Sequence, residues 1–222
     1  MNLVVIIPAY NEEKNIGQVI RSVKKYTNNI IVIDDGSQDK TFKIALENGT
    51  KVYRHLINRG LGGALGTGIK AALSDGADII VTIDADGQHN PDEIPKLIKP
   101  IIVKEADIVI GSRFIKNQKM PIFRKVGNHF FNIITFFLFG IKSTDSQSGM
   151  RAFDRRAAEN LEIFTSGMEV ASEIVKEVRL CKLKLKEIPI EAIYTPYSLS
   201  KGQGFIVGLK TLIKLFILKL TK

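Results

Sequence analysis

The chain has 222 residues, 45% of them hydrophobic, which excludes a disordered chain and suffices for one large domain or two small ones. Lys and Arg outnumber Asp and Glu by 32 to 23, a net charge of +9 that suits phosphate-bearing partners such as nucleotides or anionic lipid. Trp is absent, aromatic residues make up 8% and no nucleic-acid motif occurs, so no nucleic acid is expected; the single Cys181 excludes an internal disulfide and fits a reducing compartment.

Leu3 to Ile7 reads as a buried strand, without the basic region that precedes the apolar run of a signal peptide. Pro8 ends it, because proline cannot continue a central ladder, and Asn11 in Pro8-Ala9-Tyr10-Asn11-Glu12-Glu13 can cap the next helix. Ile16, Val19, Ile20 and Val23 recur at helical spacing, so that helix runs to about Tyr26. A second strand, Ile30 to Ile33, ends in Asp34-Asp35-Gly36-Ser37. Asp39 caps a helix ending near Asn48-Gly49, and a short strand runs from Lys51 to Arg54. The segment from His55 through Asn58-Arg59-Gly60-Leu61-Gly62-Gly63-Ala64 opens a helix to about Ser74. Its glycines permit close backbone approach and a helix N-terminus favours anions, while a glycine-rich turn with no ligand fits the same residues. No Gly-Lys-Ser/Thr completes a Walker loop.

The next strand, Asp78 to Ile83, leads into Asp84-Ala85-Asp86-Gly87-Gln88-His89. Two carboxylates one residue apart at a strand end can project together, and each raises the other's pKa. A divalent cation removes that penalty, and Mg2+ or Mn2+ commonly shares its oxygen ligands with substrate phosphates. A solvated acidic turn is the competing reading. Pro91 to Val103 is a helix, and Asp107 to Ile110 a strand ending in Gly111-Ser112-Arg113. This alternation predicts an α/β fold, a mostly parallel sheet flanked by helices on both faces. Asn11, Glu12, Asp34, Asp35, Asp84, Asp86 and Arg113 all fall beyond strand carboxyl ends, where such sheets bind ligands.

The second half is less regular. Ile122 to Ile141 is rich in phenylalanine and reads equally as a core helix or a membrane-facing one. Ser143 to Arg151 is a polar loop entering a strand, Met150 to Phe153. A helix from Gly167 to Leu180 and a strand from Leu183 to Ile190 follow, with Lys182, Lys184 and Lys186 marking a solvated face. Tyr194 to Gly204 is a loop carrying Lys201. Phe205 to Lys222 is an apolar, basic helix that can lie in a membrane interface, pack on a partner subunit in a homo-oligomer, or fold back on its own domain. No stretch offers about 20 uninterrupted apolar residues, so no spanning helix is expected. The organisation read from the sequence is a domain over 1–204 and an appended amphipathic helix over 205–222.

Taken in order, Pro8-Ala9-Tyr10-Asn11-Glu12, Asp34-Asp35-Gly36-Ser37, Asn58-Arg59-Gly60-Leu61-Gly62, Asp84-Ala85-Asp86-Gly87-Gln88-His89, Gly111-Ser112-Arg113 and Asp145-Ser146-Gln147-Ser148-Gly149 resemble glycosyltransferase family 2, and within it the polyprenyl- or dolichyl-phosphate hexose synthases. The resemblance implies a GT-A fold, a GDP- or UDP-hexose donor, Mg2+ or Mn2+, and inversion at the anomeric carbon. By position it implies that Pro8, Ala9, Tyr10, Glu12, Asp35, Arg59, Asp84 and Ala85 bind the nucleotide sugar, with Asp86 and Gln88 at the metal. Arg113 matches an arginine that faces the acceptor phosphate, and Arg124 and Lys201 match further phosphate contacts. The catalytic set it implies is Asp84, Asp86 and Arg113. The chain departs from those enzymes at Asn128, where a serine is frequent, in lacking an arginine before Ser200-Lys201, and in showing no transmembrane pair after the catalytic domain.

A phosphate acceptor has a second pKa near ~6 and needs cationic positioning rather than a strong base; Arg113 and Arg124 fit that task. A hydroxyl acceptor needs a carboxylate base. Asp145 and Glu169 are the candidates, although Asp145 reads equally as an organiser of its loop, and Glu169 reads rather as an ordinary exposed helix position than as a base. Three readings follow. They are a transferase to polyprenyl phosphate, peripheral on the cytoplasmic face of a membrane; a transferase to a saccharide hydroxyl; and a non-catalytic nucleotide-sugar binding protein.

Overall fold

The computed structural model describes residues 1–116, 120–194 and 205–220, with side chains from 208 onward in the last of these. Seven strands form one sheet in the order β3-β2-β1-β4-β6-β5-β7. They are β1 (Leu3–Ala9), β2 (Ile30–Asp34), β3 (Lys51–Arg54), β4 (Ile79–Thr82), β5 (Ile108–Ser112), β6 (Arg151–Asp154) and β7 (Leu185–Pro189). All neighbouring pairs are parallel except those of β6, which runs antiparallel between β4 and β5.

The strands are β-branched runs whose side chains alternate between two apolar layers, as the two-residue period requires. Val5 and Ile7 face the layer holding α1 (Ile16–Val23) and α4 (Ile94–Ile102). Val4 and Ile6 face the layer holding α3 (Gly60–Ser74), α6 (Arg155–Asn160) and α7 (Val170–Leu180). The other helices are α2 (Thr41–Glu47), α5 (Ile122–Phe139) and α8 (Phe205–Leu220). The mostly parallel sheet flanked by helices is as expected.

Two local expectations are corrected. Pro8 does not end β1; it pairs opposite Ile33 of β2. Val5 N–H points to β2, so Pro8's missing donor lies on the β4 side, where pairing has already stopped at Ile6 and Thr82. Asn11 does not cap α1, which starts at Ile16. It sits at φ 53°, a left-handed conformation that asparagine tolerates. From there its Oδ1 accepts from Gln38 N (2.9 Å) and its N–H donates to Ser37 Oγ (2.9 Å), which ties the loop after β1 to the loop after β2.

The antiparallel β6 has the larger consequence for the site. Because it runs against its neighbours, its first residue, Arg151, lies at the edge where β4 and β5 end, paired between Thr82 and Ile110.

Candidate active site

The carboxyl edge of β1, β2 and β4 collects the residues expected to bind a nucleotide sugar. Pro8 and Ala9 are the last residues of β1 and Tyr10 follows it, with Tyr10 44% exposed, Pro8 half-buried and Ala9 buried. Ala9 O accepts from Asp35 N (2.9 Å), which joins the two strand ends. Glu12 is buried, with Oε2 accepting from Asn15 Nδ2 (3.1 Å). Asp35 is buried and its oxygens are filled: Oδ1 accepts from Arg59 N (2.8 Å) and lies 2.7 Å from His55 Nδ1, and Oδ2 accepts from Gly60 N (2.8 Å). Arg59 is exposed at the head of α3.

The glycines at that head do not cradle an anion. A Cβ at Gly62 would stand 1.9 Å from Thr165 O, and one at Gly60 2.3 Å from Ser166 O. Gly62 N donates to Ser166 O (2.8 Å). The N–H groups of Gly60 and Gly62 are therefore spent on Asp35 and on Ser166 O, and glycine is needed because another chain segment passes there.

At the end of β4 the chain turns through Asp84, the buried Ala85, Asp86 and Gly87. Asp86 Oδ1 accepts from Gln88 N (2.9 Å), and Gln88 Nε2 donates to Asp86 Oδ2. Gln88 Oε1 accepts from Arg124 Nη1 (2.9 Å). Burial, and then the charge of Asp84, push the Asp86 carboxyl above its ordinary range against the bonds from Gln88. Asp84 lies over Gly149, where a Cβ would stand 2.4 Å from its Oδ1. His89 is buried beneath the turn, its Nδ1 accepting from Asp84 N (3.2 Å).

The β5 end is cationic and paired. Arg113 grips the fully buried Asp145 with Nε to Oδ2 (2.7 Å) and Nη2 to Oδ1 (2.8 Å). Burial works against the guanidinium charge, but the Asp145 charge and hydrogen bonds more than offset it and hold Arg113 above its ordinary value. Arg151 is buried beside the same carboxylate. Burial pulls it down to about 10, against the charges of Asp145 and Asp84. Its Nη2 donates to Ser146 O (2.7 Å) and Ala171 O (3.0 Å).

Glu169 is buried rather than exposed; its Oε1 accepts from Gly167 N (3.1 Å) and Lys214 Nζ (3.0 Å). Lys214 belongs to α8, so that helix folds back on its own domain, with Leu215 and Leu218 packed against Phe139 of α5. Lys201 lies outside the described residues.

The sequence model of glycosyl transferase family 2 matches residues 4–162, most of the chain. The chain belongs to glycosyltransferase family 2. It is 44% identical to the UDP-N-acetylglucosamine–dolichyl-phosphate N-acetylglucosaminyltransferase of Methanococcus voltae, over 98% of this chain and 96% of that protein. It is 31% identical to the undecaprenyl-phosphate mannosyltransferase of Micrococcus luteus, over 94% of this chain and 90% of that one. Glucosyl-3-phosphoglycerate synthase from Mycobacterium tuberculosis, solved with Mn2+ and UDP-glucose, superposes with a TM-score of 0.74 over 99% of this chain and 77% of that one. At 21% identity that likeness speaks for the GT-A fold alone.

The glycosyltransferase's Asp84 and Asp86 fit a divalent cation. They form a carboxylate pair whose members repel, at a strand end. Among the described residues no third His, Cys, Asp or Glu converges on a metal position. Two carboxylates with the remaining places open to phosphate oxygens is a donor set that Mg2+ accepts. Gln88 presents its NH2 to Asp86 and its carbonyl to Arg124, so as placed it steadies Asp86 rather than offering an oxygen.

Sequence reasoning missed His55, His89, Tyr194 and Arg151 as site residues. Arg151 carried a signal, an arginine closing a polar loop, but only an antiparallel β6 brings it to this edge.

Proposed function

We propose that this enzyme transfers a hexose or N-acetylhexosamine from a nucleoside-diphosphate sugar to a polyprenyl phosphate such as dolichyl phosphate, with inversion, at a membrane surface. The observation that carries the reading is the contact of the two halves of the site. The carboxylate turn of Asp84 and Asp86 is joined through Gln88 to the cationic Arg124 in the first turn of α5. An anionic donor and an anionic acceptor need such neighbours.

In this reading Asp84 and Asp86 hold Mg2+ or Mn2+, which when bound neutralises charge on the departing nucleoside diphosphate. Pro8, Ala9, Tyr10, Glu12, Asp35, Arg59 and Ala85 shape the nucleotide side. Arg113 and Arg124, with Lys201, orient the acceptor phosphate, whose ionised oxygen forms the new bond to the anomeric carbon as the bond to the diphosphate breaks. No proton has to be removed first, because the phosphate is largely ionised at neutral pH with a second pKa near ~6. The hydroxyl-acceptor reading needs a carboxylate base, and the two candidates are committed: Asp145 to Arg113, and Glu169 to Gly167 N–H and Lys214. The near full-length likeness to enzymes named for dolichyl and undecaprenyl phosphate supports the same choice.

The membrane part of the reading rests on α5 and α8. Phe123, Phe130 and Phe137 of α5 and Ile213, Phe216 and Ile217 of α8 are exposed, and the chain carries a net charge of +9. No helix among the described residues is long and apolar enough to cross a membrane. We therefore read 1–204 as the transferase domain and 205–222 as a helix laid on it that reaches the cytoplasmic face of a bilayer.

The test is a donor screen, beginning with UDP-N-acetylglucosamine, that scores nucleoside diphosphate released with and without polyprenyl phosphate. Release that depends on the lipid phosphate is expected. Release that depends instead on a saccharide, or no turnover with any donor, would overturn the proposal.

A further inference from the structure

After β7 the chain is pinned at two places. Ile190 N donates to Ser112 O (3.0 Å) beside the β5 end, and Ile193 N donates to Gln88 O (2.8 Å) on the carboxylate turn. Ala192 also bridges to His89. The next residue, Tyr194, is thereby held within electrostatic reach of Arg113 and Arg124. Its phenol oxygen is shut off from solvent and has no hydrogen-bond partner among the described residues. The charges of Arg113, Asp145 and Arg124 all act on it. Buried hydroxyls are almost always bonded, so an orphan of this kind calls for a missing partner.

We propose that Tyr194 donates its phenol O–H to the phosphate of the acceptor, completing a site whose cations are Arg113 and Arg124. The inference rests on the phosphate-acceptor reading above and names a group which that reading lacks. Asp145, whose oxygens accept from Arg113, makes no hydrogen bond to the Tyr194 phenol. Burial pushes the phenol above its ordinary value, so it stays protonated at neutral pH and can only gain by meeting an acceptor. A phosphate monoester offers three acceptor oxygens with negative charge, and hydrogen bonds to an ionised oxygen are the strong ones. Two guanidinium groups whose charges act on one hydroxyl, drawn from three different elements, suit a charged phosphate better than a neutral sugar.

Tyr194→Phe in the full chain tests this, with each substrate varied in turn. The acceptor KM should rise by about ten-fold or more while the donor KM stays unchanged, as for a lost bond to a charged group. The ligand-free variant should melt at or above the wild-type temperature, because the deleted oxygen bonds to nothing among the described residues. A short, water-soluble isoprenyl phosphate should show the same rise as the long lipid, which assigns the effect to the phosphate. An unchanged acceptor KM would remove Tyr194 from the site and leave the function standing. So would a lower melting temperature with both KM values raised alike, the pattern of a structural role. A rise confined to the long lipid would move Tyr194 from the phosphate to the chain or the bilayer. Wild-type enzyme that ignores polyprenyl phosphate altogether would remove the function and the Tyr194 assignment with it.

Discussion

Asp35 and Asp145 are both buried carboxylates at the carboxyl edge of the same sheet, and they are satisfied by different means. Asp35 takes backbone N–H groups of Arg59 and Gly60 and the ring of His55, all from one segment that follows β3. Asp145 takes the guanidinium of Arg113 from another strand, with Arg151 buried on the same charge. The proposed donor side is thus held largely by backbone donors, whose geometry does not depend on a charge balance. The proposed acceptor side is a cluster of two arginines on one aspartate, with Asp84 acting on both arginines, near a phenol without a hydrogen-bond partner among the described residues. One side is complete without ligand, and the other leaves a buried hydroxyl unsatisfied among the described residues.

The largest effect should come where the two sides meet. Asp86→Ala should lower transfer by about 10³-fold or more, the scale for losing a main electrostatic contact to developing charge. The fold should survive and even gain. Burial and Asp84 raise the folded-state pKa of Asp86 above its unfolded value, so the folded form holds its proton longer. Ionising it therefore costs stability as pH rises from about 4 upward, and the variant escapes that cost. Melting curves should show wild type falling behind the variant as pH is raised through the acid range and matching it below about pH 4. A variant that unfolds, or one that still turns over, would break the assignment.

The next effect separates the two buried carboxylates directly. Asp145→Asn leaves Arg113 and Arg151 facing each other without a full counter-charge, and breaking a buried pair costs about 3–5 kcal/mol. Asp35→Asn keeps an acceptor for its backbone donors and should cost about 1–3 kcal/mol. Urea unfolding of both variants measures the difference. Equal losses would mean that the two sides are built alike after all.

The donor side was legible in the sequence because its pieces are local. Each β-branched run ends in its own polar cluster, and a parallel alternation places Tyr10, Asp35 and Asp84 on one edge without further information. What the sequence could not show was any residue whose place depends on a distant chain crossing. Gly60 and Gly62 look like an anion cradle until the backbone of 165–166 arrives against them. Arg151 looks like the close of a loop until β6 runs antiparallel into the sheet. Glu169 looks like a surface helix residue until Lys214 of α8 folds over it. Pro8 was misread for a related reason: its tolerance depends on which neighbour its missing N–H faces, and strand order decides that.

The smallest effect concerns the surface, and it asks whether the openness of the acceptor side extends to the bilayer. Phe137 is 77% exposed on α5 and Phe216 is 49% exposed on α8. Removing α8 would test this poorly, since Leu215 and Leu218 pack on Phe139 and their loss would expose new apolar surface. Substituting Phe137→Gln and Phe216→Gln together keeps that packing and leaves the net charge at +9. Wild type should sediment with anionic liposomes. The double variant should bind about ten-fold or more weakly, because burying a phenylalanine contributes about 1.5–3 kcal/mol and each lysine near the surface about 1 kcal/mol that the variant retains. Light scattering without liposomes distinguishes the other occupant. If these faces join two copies, wild type will have a dimer's mass and the double variant a monomer's, and liposome binding will be weak in both. A wild type that is monomeric in solution and leaves solution only for lipid would place this apolar surface against the bilayer, where the proposed acceptor phosphate is held.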